Sequence, residues 1–308
     1  MAAITAALVK ELRDKTGAGM MDCKAALNET DGDIEGAVDW LRKKGIAQAA
    51  KKSSRQASEG LIGLAASGTS GAMVELNSET DFVSRNESFQ ELLRAITGVA
   101  AEANGDVEVL KGLIVPSTGK TVADSITDGI AVIGENLSLR RTIALRVDQG
   151  VVASYVHGAL APGLGRIGVL VGLESSGDTD KLQEAGKQIA MHIAATQPQS
   201  VTIESMPADV VARERAIHAE QAAASGKPAN IIEKMVDGRM RKFYEDSVLL
   251  EQAFVVDTEK KVKHAVEELA KELGTPVSVT GFVRFAVGEG IEKVQTDLAG
   301  EVAALAGH

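Results

Sequence analysis

One cysteine, Cys23, is all the chain has. That excludes an intrachain disulfide and any zinc site built on cysteine pairs, as expected for a reducing compartment. Without a nucleophile signature around it, Cys23 reads as a small buried hydrophobe in preference to a reactive thiol. Aromatic residues are scarce at 3%, with one Trp and two Tyr. The stacking platforms of single-stranded nucleic-acid binders are therefore poorly supplied. Cations are outnumbered, 33 Lys and Arg against 43 Asp and Glu, for a formal net charge of -10. Binding to a phosphate backbone depends on Lys and Arg releasing counterions, so a protein surface suits this chain better than nucleic acid. Also missing are any apolar run long enough for a membrane span and, in Met1 to Lys10, a basic segment followed by a long apolar one. The expectation is a soluble cytoplasmic protein.

What is present is enough apolar material for more than one core: 44% hydrophobic residues over 308 positions. Residues 1–46 read as three short helices, Ile4 to Lys15, Met20 to Asn28 and Ile34 to Lys44. In the third, Ile34, Ala37, Val38 and Leu41 share one face, Asp31 or Asp33 caps the start, and Gly45 ends it in a left-handed turn. Residues 47–59, rich in Ala, Lys and Ser, read as a linker or a polar helix extension. A diverged internal repeat follows. Its first copy has strands at Gly60 to Ala66 and Gly71 to Asn77, a helix from about Glu87 to Ala103, a helix from Val122 to Asn136 and a strand from Leu139 to Val147. Its second copy has strands at Val152 to His157 and Ile167 to Glu174, then a helix from about Lys181 to Ala195. Lys261 to Leu273 and Val277 to Val287 supply its second helix and last strand. Inserted between the second copy's helices, residues 208–246 read as an antiparallel helical hairpin broken at Ser225-Gly226-Lys227-Pro228. After Val287 a short Ala-rich and Glu-rich tail reads as one helix.

The motifs that suggest chemistry lack their context. Gly163-Leu164-Gly165-Arg166-Ile167-Gly168 spells the dinucleotide fingerprint, but that motif needs a helix after it to hold the pyrophosphate, and Ile167 to Glu174 reads as a strand. A hairpin loop is the better reading. Ser117-Thr118-Gly119-Lys120-Thr121 resembles the end of a phosphate-binding loop, yet Ile114 stands where that loop requires its first glycine. The histidines His157, His192, His218, His264 and His308 fall at no metal-ligand spacing, and His192, in an apolar helix, reads as a core or boundary residue. The residues make no positive case for an enzyme, a cofactor or a metal.

One segment stands apart. Asn77-Ser78-Glu79-Thr80-Asp81-Phe82-Val83 follows an apolar strand and leads through polar residues into a helix. Phe82 there is either exposed at the strand end or a plug in the subdomain core. The segment resembles the Thr-Asp-Phe-Val motif of the elongation factor Ts family. Further matches are Val9-Lys10-Glu11-Leu12-Arg13, Thr16-Gly17-Ala18-Gly19-Met20-Met21-Asp22-Cys23-Lys24, Arg166-Ile167-Gly168-Val169-Leu170-Val171, and Phe285 through Glu292. Together they cover nearly the whole chain.

The resemblance implies an α+β protein: a ubiquitin-associated-like three-helix module (1–46), a linker (47–59) and two related α+β core subdomains (60–148, and 149–207 with 247–287). A helical hairpin of dimerisation type (208–246) and a carboxy-terminal module (288–308) complete it. It implies a guanine-nucleotide exchange factor for elongation factor Tu, acting in translation elongation, with no active site, cofactor or metal of its own. By the same resemblance Thr80, Asp81, Phe82 and Val83 form the loop that inserts its Phe into the partner and disturbs the partner's magnesium site. Arg13, Met20 and Met21 match further partner contacts, and His157 matches a histidine near the partner's phosphate loop. Ala159 to Gly165 lengthens the loop beside His157 relative to many relatives. The hairpin's apolar stripe is left to face either a second copy, as a homodimer, or the partner.

Overall fold

The computed structural model describes residues 4–292. Three helices open it: α1 (Ala6–Thr16), α2 (Met20–Glu29) and α3 (Ile34–Lys52). The first repeat copy follows as β1 (Glu59–Ser67), β2 (Ser70–Ser78), α4 (Glu87–Val99), α5 (Val107–Gly112), β3 (Ile114–Val115), β4 (Lys120–Thr121), α6 (Val122–Ile133) and β5 (Leu137–Arg146). The second copy begins with β6 (Gly150–His157), β7 (Leu164–Gly165), β8 (Ile167–Glu174) and α7 (Thr179–Thr196). It breaks for the hairpin α8 (Ala208–Ala223) and α9 (Ala229–Ser247), and resumes with β9 (Ala253–Phe254), β10 (Asp257–Lys261), α10 (Val262–Leu273) and β11 (Ser278–Ala286). The fold is α+β. The expected tail helix lies, from residue 293 onward, outside the described residues.

Alternation along the strands builds the core in four layers. Side chains on successive strand residues point to opposite faces. Leu61, Ala72, Val74 and Leu76 therefore pack under α4 and α6 with Phe89, Leu93 and Ile96. Their neighbours Ile62 and Met73 point the other way and meet Val152, Leu170 and Phe285 of the second sheet. On the far side Val151, Val169, Val171 and Leu173 pack under α7 and α10 with Leu182, Ile189 and Val266. Both sheets are antiparallel, and in each the three main strands run in the order third, second, first: β5-β2-β1 and β11-β8-β6. The repeat is thus visible as geometry, with a two-strand ribbon (β3-β4, β9-β10) added before the second helix of each copy.

Two expectations are corrected. Gly45 does not end the third helix, which runs to Lys52, so of the two readings of the 47–59 segment its first part takes the helix extension. Gly45 is there for closeness: a Cβ on it would stand 2.9 Å from the Ala131 Cβ of α6. The three-helix module consequently sits directly on α6, with Gly17 facing Val132 as well. The Gly163 to Gly168 segment forms the connection between β6 and β8, as its strand context implied, but it also contributes β7, which pairs with β1 of the first sheet (Gly165 opposite Ile62). The loop between His157 and Arg166 therefore joins the two subdomains.

In the hairpin, α8 and α9 turn their apolar residues mainly toward each other, around Ala222, Val236 and Met240. Ile217 and Ile231 stay outward. At the hairpin's root the two chain segments pair in parallel at Ser200 and Val248. Beneath them the buried His192 accepts the Val255 N–H on Nδ1 (3.2 Å) and donates from Nε2 to Gln252 Oε1 (2.8 Å), while Gln252 Nε2 donates to the Asp246 carbonyl (2.8 Å). Among the described residues no helix is long and apolar enough to cross a membrane.

Between the sheets lies one fully buried carboxylate, Glu75 of β2. It accepts from Arg140 (3.0 Å), Arg141, the Asn77 amide (3.1 Å) and the Gly288 N–H (2.8 Å), while the Arg141 guanidinium rests on the Phe285 ring. A buried charge persists only when paired this fully. The network fastens the end of the second subdomain onto the first. Gly288 sits at φ 71°, and a Cβ on it would clash with the Ser58 carbonyl oxygen.

Removing the carboxylate with Glu75→Ala leaves two arginines without their anion and is expected to cost about 3 kcal/mol in urea unfolding. Burial, opposed by the Gln252 hydrogen bond, holds the His192 imidazole below its usual pKa. The unfolded chain then binds this proton first, so the stability it contributes is complete above about pH 6.5 and is lost as pH falls from there through the lower folded value. Thermal melts between about pH 7.5 and 5.5 are expected to show a falling midpoint, with a shallower slope in His192→Gln.

Candidate functional site

The β2 strand ends at Ser78, and the chain then makes a single 3-10 turn, Asp81–Arg85, before α4. Within that turn the side chains divide sharply. Val83 is buried in the first subdomain's core, whereas Phe82 is 81% exposed. Of the two readings open for Phe82, the plug role belongs to its neighbour Val83. Asp81 is exposed and Thr80 half-buried. A large ring with so little cover is not stabilised by burial where it stands.

The backbone under the ring is tied on both sides. After it, the Asn86 N–H donates to the Val83 carbonyl (2.9 Å), Ser84 Oγ donates to the Gly60 carbonyl (3.0 Å), and Gln90 Nε2 donates to the Ser84 carbonyl (2.9 Å). The Asn86 side chain then caps α4 by accepting the Phe89 N–H. Before it, Ser78 Oγ donates to the Thr80 carbonyl (2.9 Å). Thr80 donates its N–H and its hydroxyl to Glu135, at the end of α6, and Glu79 accepts the Asn136 N–H in return.

The other expected residues are also at the surface. Met20 and Met21, the first residues of α2, are 61% and 76% exposed, while Leu12, Cys23, Ala26 and Leu27 fill the module's core behind them. Arg13 is exposed on α1, a helix begun by the Thr5 side chain and ended by Gly17 in a left-handed turn. His157 is exposed at the end of β6, where its Nδ1 lies 3.2 Å from the Tyr155 hydroxyl and its carbonyl accepts the Arg166 N–H (3.1 Å).

What brings these regions into one frame is α6. Its Ala131 and Val132 seat the three-helix module, and the residue after its Gly134 cap holds the Phe82 turn. Sequence reading placed Glu79 in the segment that stands apart without giving it a role, and did not single out Glu135 or Asn136. Their only signal was the Gly134-Glu135-Asn136 break between a helix and a strand. Among the described residues no group of three His, Cys, Asp or Glu is placed to hold a metal ion.

The chain that carries this exposed ring on its tied turn is similar in sequence, along its whole length, to known translation elongation factors. The family model described as "Elongation factor TS" matches residues 79–289. A protein named elongation factor Ts from Rhodospirillum centenum is 59% identical over 307 residues, covering all of both chains. Those of Paramagnetospirillum magneticum, at 59% over all of this chain and 98% of its own, and Rhizobium etli, at 57% over 99% of each, agree. The chain belongs to the elongation factor Ts family.

The division at the turn has a direct check. Phe82→Ala is expected to leave unfolding stability within about 0.5 kcal/mol of wild type, while Val83→Ala, two atoms of core lost, is expected to cost about 1–3 kcal/mol. Urea unfolding followed by circular dichroism separates the two.

Proposed function

We propose that this chain is the guanine-nucleotide exchange factor of elongation factor Tu: it binds the GDP-bound GTPase, disturbs the magnesium and phosphate site and lets GDP leave. The family's name supports the partner, and the observation that supports the mechanism is the exposed ring of Phe82 on its tied turn. Phe82 acts as a wedge between two helices of the partner's nucleotide domain, with Thr80, Asp81 and Val83 shaping its base. Arg13, Met20 and Met21 grip the same domain from the three-helix module, where the unbranched, polarisable Met side chains adapt to an irregular apolar surface. His157 approaches the phosphate-loop side from the second subdomain.

The energetics are those of linked binding. A factor that prefers the nucleotide-free arrangement of its partner weakens nucleotide binding by the same coupling free energy, and GDP weakens the factor's hold in return. Burial of Phe82 in the partner contributes about 1.5–3 kcal/mol, roughly one to two powers of ten in affinity. The module and His157 supply the remainder. In this scheme the chain performs no bond chemistry; it changes which state of the partner is stable.

Release of a fluorescent GDP analogue from elongation factor Tu tests the proposal. Wild type is expected to accelerate release, and Phe82→Ala to lose about tenfold or more of that acceleration while keeping its fold. Wild type that binds without accelerating release would reduce the chain to a scaffold.

A further inference from the structure

We infer that Glu135 is a positioning residue for the Phe82 wedge, its carboxylate fixing where the ring stands before the partner arrives. The inference rests on the exchange reading above and adds to it a residue that does not itself meet the partner's nucleotide.

The ring has almost no packing of its own, so its direction is that of its backbone. On the carboxy-terminal side that backbone is tied to its own subdomain, through Val83 in the core and the Ser84 hydroxyl on the Gly60 carbonyl. On the amino-terminal side, besides the Ser78 hydroxyl on the Thr80 carbonyl, the ties run to the residues after α6 in the same subdomain. Both carboxylate oxygens of Glu135 accept from one residue, Oε2 from the Thr80 N–H at 2.9 Å and Oε1 from the Thr80 hydroxyl at 2.6 Å. Glu79 Oε1 accepts the Asn136 N–H at 2.6 Å, so residues 79–80 and 135–136 exchange side-chain and backbone bonds reciprocally. Hydrogen bonds to an ionised acceptor are the short, directional ones, and two onto a single residue fix its orientation as well as its place. The turn is thereby stretched between its own sheet and the end of α6. Because Ala131 and Val132 of α6 also seat the three-helix module, the two regions proposed to touch the partner take their relative position from one helix.

Glu135→Ala removes both oxygens that accept from the Thr80 N–H and hydroxyl. With the amino-terminal tie opened, the wedge has to be ordered at the moment of binding, and the ordering cost of about one backbone residue corresponds to roughly tenfold in rate.

The experiment measures GDP-analogue release from elongation factor Tu at increasing concentrations of wild type, Glu135→Ala, Phe82→Ala and the double variant, together with hydrogen exchange at the Thr80 amide in the free proteins. Glu135→Ala is expected to lower the saturating release rate about tenfold, with the half-saturating concentration shifted less than about threefold because the module still grips. On the Phe82→Ala background it is expected to cost nothing further, since it acts through the ring, and the Thr80 amide is expected to exchange faster. Equal losses from Glu135→Ala with and without Phe82 would mark general destabilisation and overturn the inference. So would a wild-type release rate in Glu135→Ala while Phe82→Ala is impaired. Phe82→Ala releasing GDP as fast as wild type is the separate result that removes the exchange reading and this inference with it.

Discussion

An aromatic ring standing in water contributes nothing to its own placement, because the burial that normally fixes a phenylalanine is absent. Everything that orients Phe82 must come from the chain on either side of it, and the structure puts that burden on Val83, Ser84 and Thr80. Val83 fills the core position a plug would occupy. The strand before the turn and the helix after it are rigid, since β2 lies between β1 and β5 in the sheet and α4 packs on that sheet through Phe89, Leu93 and Ile96. A short turn between two such elements has little room to wander, which is the condition for a wedge that loses little entropy on insertion.

The duplicated core explains where such features are placed. Each copy contributes a three-strand sheet with helices outside, and the two sheets close over a shared apolar layer, Ile62 and Met73 against Val152, Leu170 and Phe285. With both sheet faces covered, variation is confined to the connections. In the first copy a connection became the Phe82 turn. In the second, one became the β6 to β8 loop that reaches across to pair with β1, and another became the long hairpin rooted above His192. Glu75 works inside this arrangement, using one buried carboxylate to hold β2, β5 and the segment that follows β11 at Gly288 together.

Much of this was legible in the sequence because it depends on local periodicity. The apolar runs at Gly60 to Ala66, Gly71 to Asn77 and Ile167 to Glu174 fell within observed strands, and the helical stretches of both copies appeared where their patterns put them. Gly45 shows how a local rule fails: a glycine after an amphipathic run signals a helix end, but here Ala131 of another helix demands the missing side chain, and the helix continues. The ribbons β3-β4 and β9-β10 are too short to alternate visibly. At the site, the sequence around Phe82 marks a strand end but does not say which of two adjacent apolar residues goes inward. Glu135 escaped notice for a different reason. Its partner is 55 residues away, and nothing in either segment announces the pairing.

The central claim is that the Phe82 ring passes from water into the partner when nucleotide leaves. Fluorine NMR of a chain carrying a fluorinated phenylalanine at position 82 measures this directly. The ring resonance is predicted to shift from a solvent-exposed to a buried environment when nucleotide-free elongation factor Tu is added, and to return when excess GDP and magnesium displace the chain. A complex that forms while the resonance of Phe82 stays at its free position would contradict the account.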